Sequence, residues 1–328
     1  MTIQIAIIGM GQIGGSFGLA LAEKKDLLVR IGHDKEIKTA RQAEKAGAVD
    51  RVELNLPRAV REAELVLLCL PLDQIRATLE IIATELKPGA VVMETGLAKE
   101  MVTAWAAELL PEGRHYVGLT PVINPAYLHE VDTGIGAARA DLFKDALIAI
   151  VAPPQSDSAA IKLAADLTRL VGANPLFADP VEIDGLMSAT HLLPQLMAAA
   201  LLNATIDQPG WREARKVAGR AYAEASEPVV QMGETEALGT AAILNRQNIV
   251  RMLDSAMAAL HALREDIDRE DKAALNERLG RALDGRLRWW AERQGGDWSN
   301  ESATKVETPE PPGVMGRLFG MGRKPKKA

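Results

Sequence analysis

Apolar residues follow two patterns along this chain, and the change between them comes near residue 180. Up to that point, short apolar runs alternate with amphipathic stretches. The runs at 5–8, 27–31, 65–70, 91–93, 116–117, 147–151 and 174–177 have the length and aliphatic content of strands buried on both faces. Between them, 16–24, 37–46, 75–86, 101–110 and 159–171 carry helical spacing, stopped by glycine or by Pro-Gly clusters such as Lys87-Pro88-Gly89. Strand and helix in alternation predict a doubly wound, mainly parallel sheet of the Rossmann type over residues 1–179.

Beyond Asp179-Pro180 the apolar spacing becomes three and four, and no strand is expected. Helices are predicted at 185–202, at 212–225, from 234 onward and at 272–293, with Asp184 placed to cap the first. The third carries Ile249, Leu253, Met257, Leu260, Leu263 and Ile267 along one stripe. Residues 180–294 therefore read as an all-helical domain. Its first helix is apolar nearly all round, from Leu186 and Met187 through Leu192, Leu193, Leu196 and Met197. Such a helix is buried from several sides, which in a domain this small predicts a homodimer interface.

Composition narrows the class. The chain has 328 residues, 48% hydrophobic and 25% charged, the balance of a soluble protein with two domains. The one cysteine, Cys69, lies inside an apolar run and reads as inert core. The chain opens on a strand, and no apolar run approaches membrane-spanning length, so a cytoplasmic location is expected. From residue 295 on, Gly, Ser, Glu and Pro dominate and predict a disordered linker. It ends in a basic segment, 313–328, with five cations and no acid, so the remainder carries −11 against a total of −6. An acidic body argues against nucleic acid as a partner. The tail also holds Val314, Met315, Leu318, Phe319 and Met321, a composition suited to an anionic membrane surface, an acidic protein partner, or simply a charged terminus.

The chemistry is concentrated where the first strand ends. Gly9-Met10-Gly11-Gln12-Ile13-Gly14 follows the first apolar run and opens a helix, and Asp34 stands twenty residues after Gly14, at the end of the second run. Gly9 permits the tight turn, Gly11 admits a pyrophosphate close to the backbone, and Gly14 allows close packing of helix on strand. The N–H groups of Gln12 and Ile13 then face the phosphates. Strand, turn, helix, strand and acid in this order form a dinucleotide site. Asp34 would accept from the adenosine ribose hydroxyls and repel a 2′-phosphate, which favours NAD; Lys35, next to it, leaves NADP open.

Taken together, I-I-G-M-G-Q-I-G-G-S-F, G-H-D-K, L-C-L-P (68–71), E-T-G-L-A-K (94–99), V-G-L-T-P (117–121), A-D-L-F (140–143), D-G-L-M-S-A-T-H-L-L-P-Q (184–195) and A-S-E-P (225–228), with Asn245 beyond, resemble the prephenate and arogenate dehydrogenase family. The likeness covers about residues 3–293. It implies a cyclohexadienyl acid that loses CO₂ and a hydride as its ring becomes aromatic. It also implies cofactor contacts at Leu70, Pro71 and Thr95.

The substrate half departs from the family. Its histidine in G-S-H-P is Thr120 here, its serine in D-x-x-S-x-K is Leu97, and its lysine is kept as Lys99. In its S-H-L-P-H run, the serine position holds His191 and the two histidines become Leu192 and Gln195. Its T-R-I-A-x-S arginine falls at Tyr222, with Arg220 two residues away. Residues 122–133, carrying Tyr127 and His129, replace a short M-A-G turn. By resemblance, His191, Thr120 and Lys99 are the candidate catalytic groups, and Arg220, Gln195 and Tyr222 the candidate substrate contacts. Two other classes stay open: a dinucleotide-binding protein with lost catalysis, and a related dehydrogenase or imine reductase of different substrate.

Overall fold

The computed structural model describes residues 2–230 and 235–296. The basic segment 313–328 lies outside them. The described chain divides into two compact units, residues 2–184 with 235–244, and residues 185–230 with 245–296.

The first unit is built on β1 (Ile3–Ile8), α1 (Gln12–Ala20), β2 (Leu28–His33), α2 (Ile37–Lys45), β3 (Arg51–Val52), α3 (Leu56–Val60), β4 (Leu65–Leu68), α4 (Leu72–Ile82), β5 (Val91–Glu94), α5 (Lys99–Leu109), β6 (His115–Pro121), β7 (Leu147–Val151), α6 (Ser158–Leu170) and β8 (Asn174–Ala178). The strands form one sheet in the order β3-β2-β1-β4-β5-β6-β7-β8. Every pairing is parallel except β6 with β7, where Gly118 faces Val151 and Pro121 faces Ile148. A parallel neighbour needs a long crossover, normally a helix. Residues 122–146 provide only two short 3-10 turns, at Pro125–Tyr127 and Gly134–Ala137, so the chain turns back on itself there. β4 and β5 are buried throughout, as strands covered on both faces must be. Phe17 of α1 meets Phe143 with ring centroids 4.6 Å apart.

Three local differences from the sequence expectation have physical reasons. The helix expected at 16–24 begins at Gln12, because the glycine loop leads directly into its first turn, and it gives way to a 3-10 turn at Ala22–Lys24. β3 and α3 carry no apolar run; Asn55 starts α3 by accepting the Arg58 N–H, with Pro57 in the first turn. The helix expected from 185 begins instead at Pro180, as α7 (Pro180–Met187). Asp184 therefore lies inside that helix, and its carboxylate caps α5, accepting the N–H groups of Lys99 at 2.7 Å and Glu100 at 3.0 Å.

Beyond α7 come a π-helical turn at Ser188–Leu192, then α8 (Leu193–Thr205), α9 (Trp211–Val217), α10 (Arg220–Val230), α11 (Thr235–Leu244), α12 (Arg246–Asp268) and α13 (Lys272–Gly295). The helix expected at 212–225 breaks at Ala218-Gly219, and the one expected from 234 breaks at Asn245. α11 packs on α4 in the first unit; α10 packs on α8, and α12 on α13, in the second. No strand follows β8 among the described residues.

Pro180–Thr205 is one continuous 26-residue helical rod with mean hydropathy 1.3 in its most apolar window, which corrects the expectation that no apolar run approaches membrane-spanning length. The π turn joins two segments that Pro194 would otherwise separate, and so creates the longer rod.

Candidate functional site

The glycine loop stands at the carboxyl edge of the sheet, next to the point where the chain order reverses between β1 and β4. Gly9 has φ +90°, and a Cβ there would lie 2.3 Å from the Cys69 carbonyl oxygen. A Cβ on Gly14 would lie 2.0 Å from the Gly9 carbonyl oxygen, so helix and loop touch backbone to backbone. Gly11 is the opposite case, with no atom within 4 Å of where its Cβ would be. The first turn of α1 has no side-chain cap and no acidic residue. The first-turn N–H groups, including those of half-exposed Gln12 and Ile13, have no intrahelical partner and are suited to meet an anion.

Asp34 is half-buried at the end of β2, and its carboxylate accepts the Met10 N–H at 2.8 Å and the Glu36 N–H at 2.9 Å. It thus braces the glycine loop and keeps lone pairs for a diol. On the other side of β1, Leu70 and Thr95 are half-buried and Pro71 is exposed at the start of α4. The Thr95 hydroxyl makes a long contact to the Leu68 carbonyl, 3.5 Å. Burial pushes the Cys69 thiol far above its ordinary range, which leaves it neutral and unreactive.

Residues 134–139, just past the segment 122–133, pack against α1. Gln12 Nε2 donates to the Ala137 carbonyl at 3.4 Å, and the Arg139 N–H donates to Ser16 Oγ at 3.0 Å. Tyr127 is tied to its own segment, its hydroxyl donating to Asp141 Oδ1 at 2.7 Å.

Lys99, a candidate catalytic group, lies inside the first unit. Its side chain is fully buried, and Nζ donates to Glu94 Oε1 at 2.6 Å and to the Glu94 carbonyl at 3.2 Å. The Tyr116 hydroxyl donates to the same carboxylate oxygen at 2.9 Å. Burial lowers the Lys99 pKa, opposed by the Glu94 charge. The ammonium is thus enclosed, with Glu94 as its ionic partner and Tyr116 on the same carboxylate. Thr120 is 4% exposed, and its hydroxyl has no hydrogen-bond partner among the described residues. It shares a face of β6 with Gly118, whose Cβ direction leads to Lys99 and Tyr116.

In the second unit, His191 lies in the π turn, a distortion that recurs at functional sites. The side chain reaches solvent yet stands among enough protein that desolvation lowers its pKa below 6.5. Gln195 is half-exposed on the next turn. Tyr222 is engaged locally: its hydroxyl is 2.7 Å from Thr205 Oγ1 and its ring 5.7 Å from that of Trp211, so it ties α10 to α8 rather than standing free for a substrate. Arg220 is 89% exposed, with Glu224 at 3.9 Å, a surface ion pair of small energetic weight. Ser188 and Asn245 were given no role by residue type alone; they form a buried hydrogen bond of 2.7 Å that joins the π turn to the head of α12.

Residues 17–176 match a family described as prephenate dehydrogenase, nucleotide-binding domain. The match begins just past the glycine loop. A prephenate dehydrogenase of Bacillus subtilis (strain 168) is 28% identical over 202 residues, 61% of this chain and 53% of that protein. A cyclohexadienyl dehydrogenase of Zymomonas mobilis is 28% identical over 201 residues, 60% of this chain and 66% of that protein. The chain thus spans between half and two thirds of the curated relatives it matches. Among solved structures, prephenate dehydrogenase from A. aeolicus in complex with hydroxyphenyl propionate and NAD+ has a TM-score of 0.78 at 19% identity, covering 88% of this chain and 98% of that one. Synechocystis arogenate dehydrogenase gives 0.68 at 21%, covering 88% and 100%. These structural likenesses establish a shared fold. Residues 17–176, just under half of the chain, thus resemble the nucleotide-binding domain of prephenate dehydrogenases.

Proposed function

We propose that the chain is an NAD-dependent dehydrogenase that oxidatively decarboxylates a cyclohexadienyl acid of the prephenate or arogenate kind. The observation that carries this reading is the uncapped N-terminus of α1 behind an open Gly11, with Asp34 at the end of the neighbouring strand. Those features fit a dinucleotide: backbone N–H groups for the pyrophosphate and a carboxylate for the adenosine ribose. A bound nicotinamide would supply the hydride acceptor.

The chain's own groups would do the rest. The unpaired Thr120 hydroxyl supports a hydrogen bond to the substrate, but threonine cannot take a proton near neutral pH. We assign the proton-accepting role to His191, whose lowered pKa keeps the imidazole neutral to more acidic pH than a free histidine. His191→Asn is expected to lower kcat by about 10²-fold with a smaller change in KM. The acid limb of the parent's kcat/KM profile should lie below pH 6.5, because only the neutral ring accepts. A fully active variant returns His191 to a structural role.

The test of the whole reading follows absorbance at 340 nm with prephenate and with arogenate, each with NAD and with NADP. A rise with NAD and one of the acids is expected. No rise in any of the four, while NAD binds in titration, would make the chain a dinucleotide-binding protein without this catalysis. Asp34→Ala should weaken NAD by about tenfold and NADP by less, since the carboxylate attracts a diol and repels a phosphate; equal losses would end the assignment.

The rod Pro180–Thr205 supports a homodimer. Only 17% of its most apolar window is buried within the chain, and so much apolar surface calls for a cover. Light scattering that returns a monomer mass at micromolar concentration would reject it.

A further inference from the structure

The strand order places the two halves of a dinucleotide. Asp34, just past the end of β2, marks the adenosine side of the glycine loop, so the other half of the cofactor extends across β1 toward β4 and β5. The turn at 95–98, between β5 and α5, edges that side. It is held from below by a closed polar cluster. Glu94 and Lys99 are both fully buried at the two ends of the turn and face each other at 2.6 Å. Glu94 Oε2 accepts the Gly96 N–H inside the turn, while Oε1 accepts both Lys99 Nζ and the Tyr116 hydroxyl. Lys99 Nζ returns a bond to the Glu94 carbonyl. From outside, Asp184 accepts the N–H groups of Lys99 and Glu100 and fixes the start of α5. Gly118 on β6 leaves the cluster its room: a Cβ there would lie 3.0 Å from Lys99 Cδ and from the Tyr116 hydroxyl oxygen, and 3.2 Å from Glu94 Oε1.

A buried ion pair seldom stabilises more than a well-packed apolar pair would, yet removing one partner leaves the other charge stranded. A fold gains little by keeping such a pair for stability alone, whereas a charge pair with four fixed hydrogen bonds holds one turn conformation against the alternatives.

We propose that Glu94 and Lys99, flanked by Tyr116, are positioning residues that fix the turn 95–98 under the nicotinamide half of the cofactor, and that Lys99 itself touches neither cofactor nor substrate. This rests on the NAD-dependent reading above. Thr95 and Gly96 then present a set surface to one half of the dinucleotide only. The adenosine half, anchored by Asp34 and α1, is indifferent to the cluster.

The experiment titrates the full chain with NAD and with ADP-ribose, which lacks the nicotinamide. In Lys99→Met, NAD affinity is expected to fall about tenfold with ADP-ribose nearly unchanged. The double variant Glu94→Gln/Lys99→Met, which removes the stranded charge, should recover most of the NAD affinity. Tyr116→Phe keeps the ring and removes one bond, and should show a smaller loss in the same direction; it decides the matter if Lys99→Met fails to fold. Equal losses for both probes, no loss, or a double variant as weak as the single one each overturn the proposal, the last by pointing to direct contact through Lys99. A parent chain that binds neither probe overturns the nucleotide reading and this proposal with it. A parent that binds NAD beside unaffected variants overturns the positioning role alone.

Discussion

Gly14→Ala is expected to abolish measurable dinucleotide binding and to lower the unfolding midpoint of the chain at the same time. The added methyl would lie 2.0 Å from the Gly9 carbonyl oxygen and 3.2 Å from Cys69 Cβ. Neither is the free end of a flexible side chain, so the loop or the helix must move. Overpacking of this kind costs about 1–3 kcal/mol. The displacement falls on the loop whose N–H groups are to meet the pyrophosphate, so binding suffers beyond the stability loss. Gly11→Ala separates the two effects. Gly11 has φ −74°, which alanine adopts without strain, and its Cβ would meet no protein atom within 4 Å. That variant should unfold at the parent's midpoint yet bind at least about tenfold more weakly, because the methyl occupies the space a phosphate needs. Isothermal titration and thermal melts followed by circular dichroism give both numbers. Full binding by Gly11→Ala would show that the ligand approaches the loop elsewhere.

The contrast between those glycines marks how far the sequence could be read. Their spacing announced a turn, a close approach and a packed helix, because each task admits only glycine. The parallel strands were legible for the same reason: a strand buried on both faces must be an apolar run, and few other elements look like one. Lys99 was not legible. Its burial depends on Glu94 and Tyr116 arriving from different strands and on the room left at Gly118, a coincidence of register that no local pattern carries. Asp184 sat where a cap for its own helix is expected, but it caps a helix 85 residues earlier in the chain. The π turn left a faint trace, since Pro194 in the middle of a helical pattern has no N–H to continue the ladder and something must give on its N-terminal side. Tyr222 carries the same lesson from the other direction: a position matched to a family's substrate residue makes a local tie to Thr205 instead.

Arg30 shows what a charged residue inside an apolar run can mean, and its removal should produce the largest stability loss in the first unit. The guanidinium is 1% exposed and holds three separate pieces of chain together. Nε and Nη2 grip the Asp50 carboxylate at 3.1 and 2.6 Å, while Nη1 donates to the carbonyls of Gly18 at 2.6 Å, Gly47 at 3.0 Å and Ala48 at 3.3 Å. The end of α1, the turn after α2 and the entry to β3 all depend on it. Burial alone would raise the Asp50 carboxyl, but the hydrogen bonds and charge of Arg30 outweigh it and hold it below 3.8. The pair's contribution is therefore complete above that pH and is lost as pH falls through the lower folded value. Arg30→Met keeps much of the volume and removes every donor. Asp50 is 26% exposed and can take up water, but the Gly18 and Ala48 carbonyls lose their fixed donor in a buried setting. The cost should be about 3 kcal/mol, the lower end for breaking a buried pair. Arg30→Lys should recover little of it, because a single ammonium cannot reach the carboxylate and three carbonyls together. Urea unfolding followed by far-ultraviolet circular dichroism measures both variants. A loss under about 1 kcal/mol in Arg30→Met, or full recovery by lysine, would show that water serves those carbonyls and that the fork is dispensable.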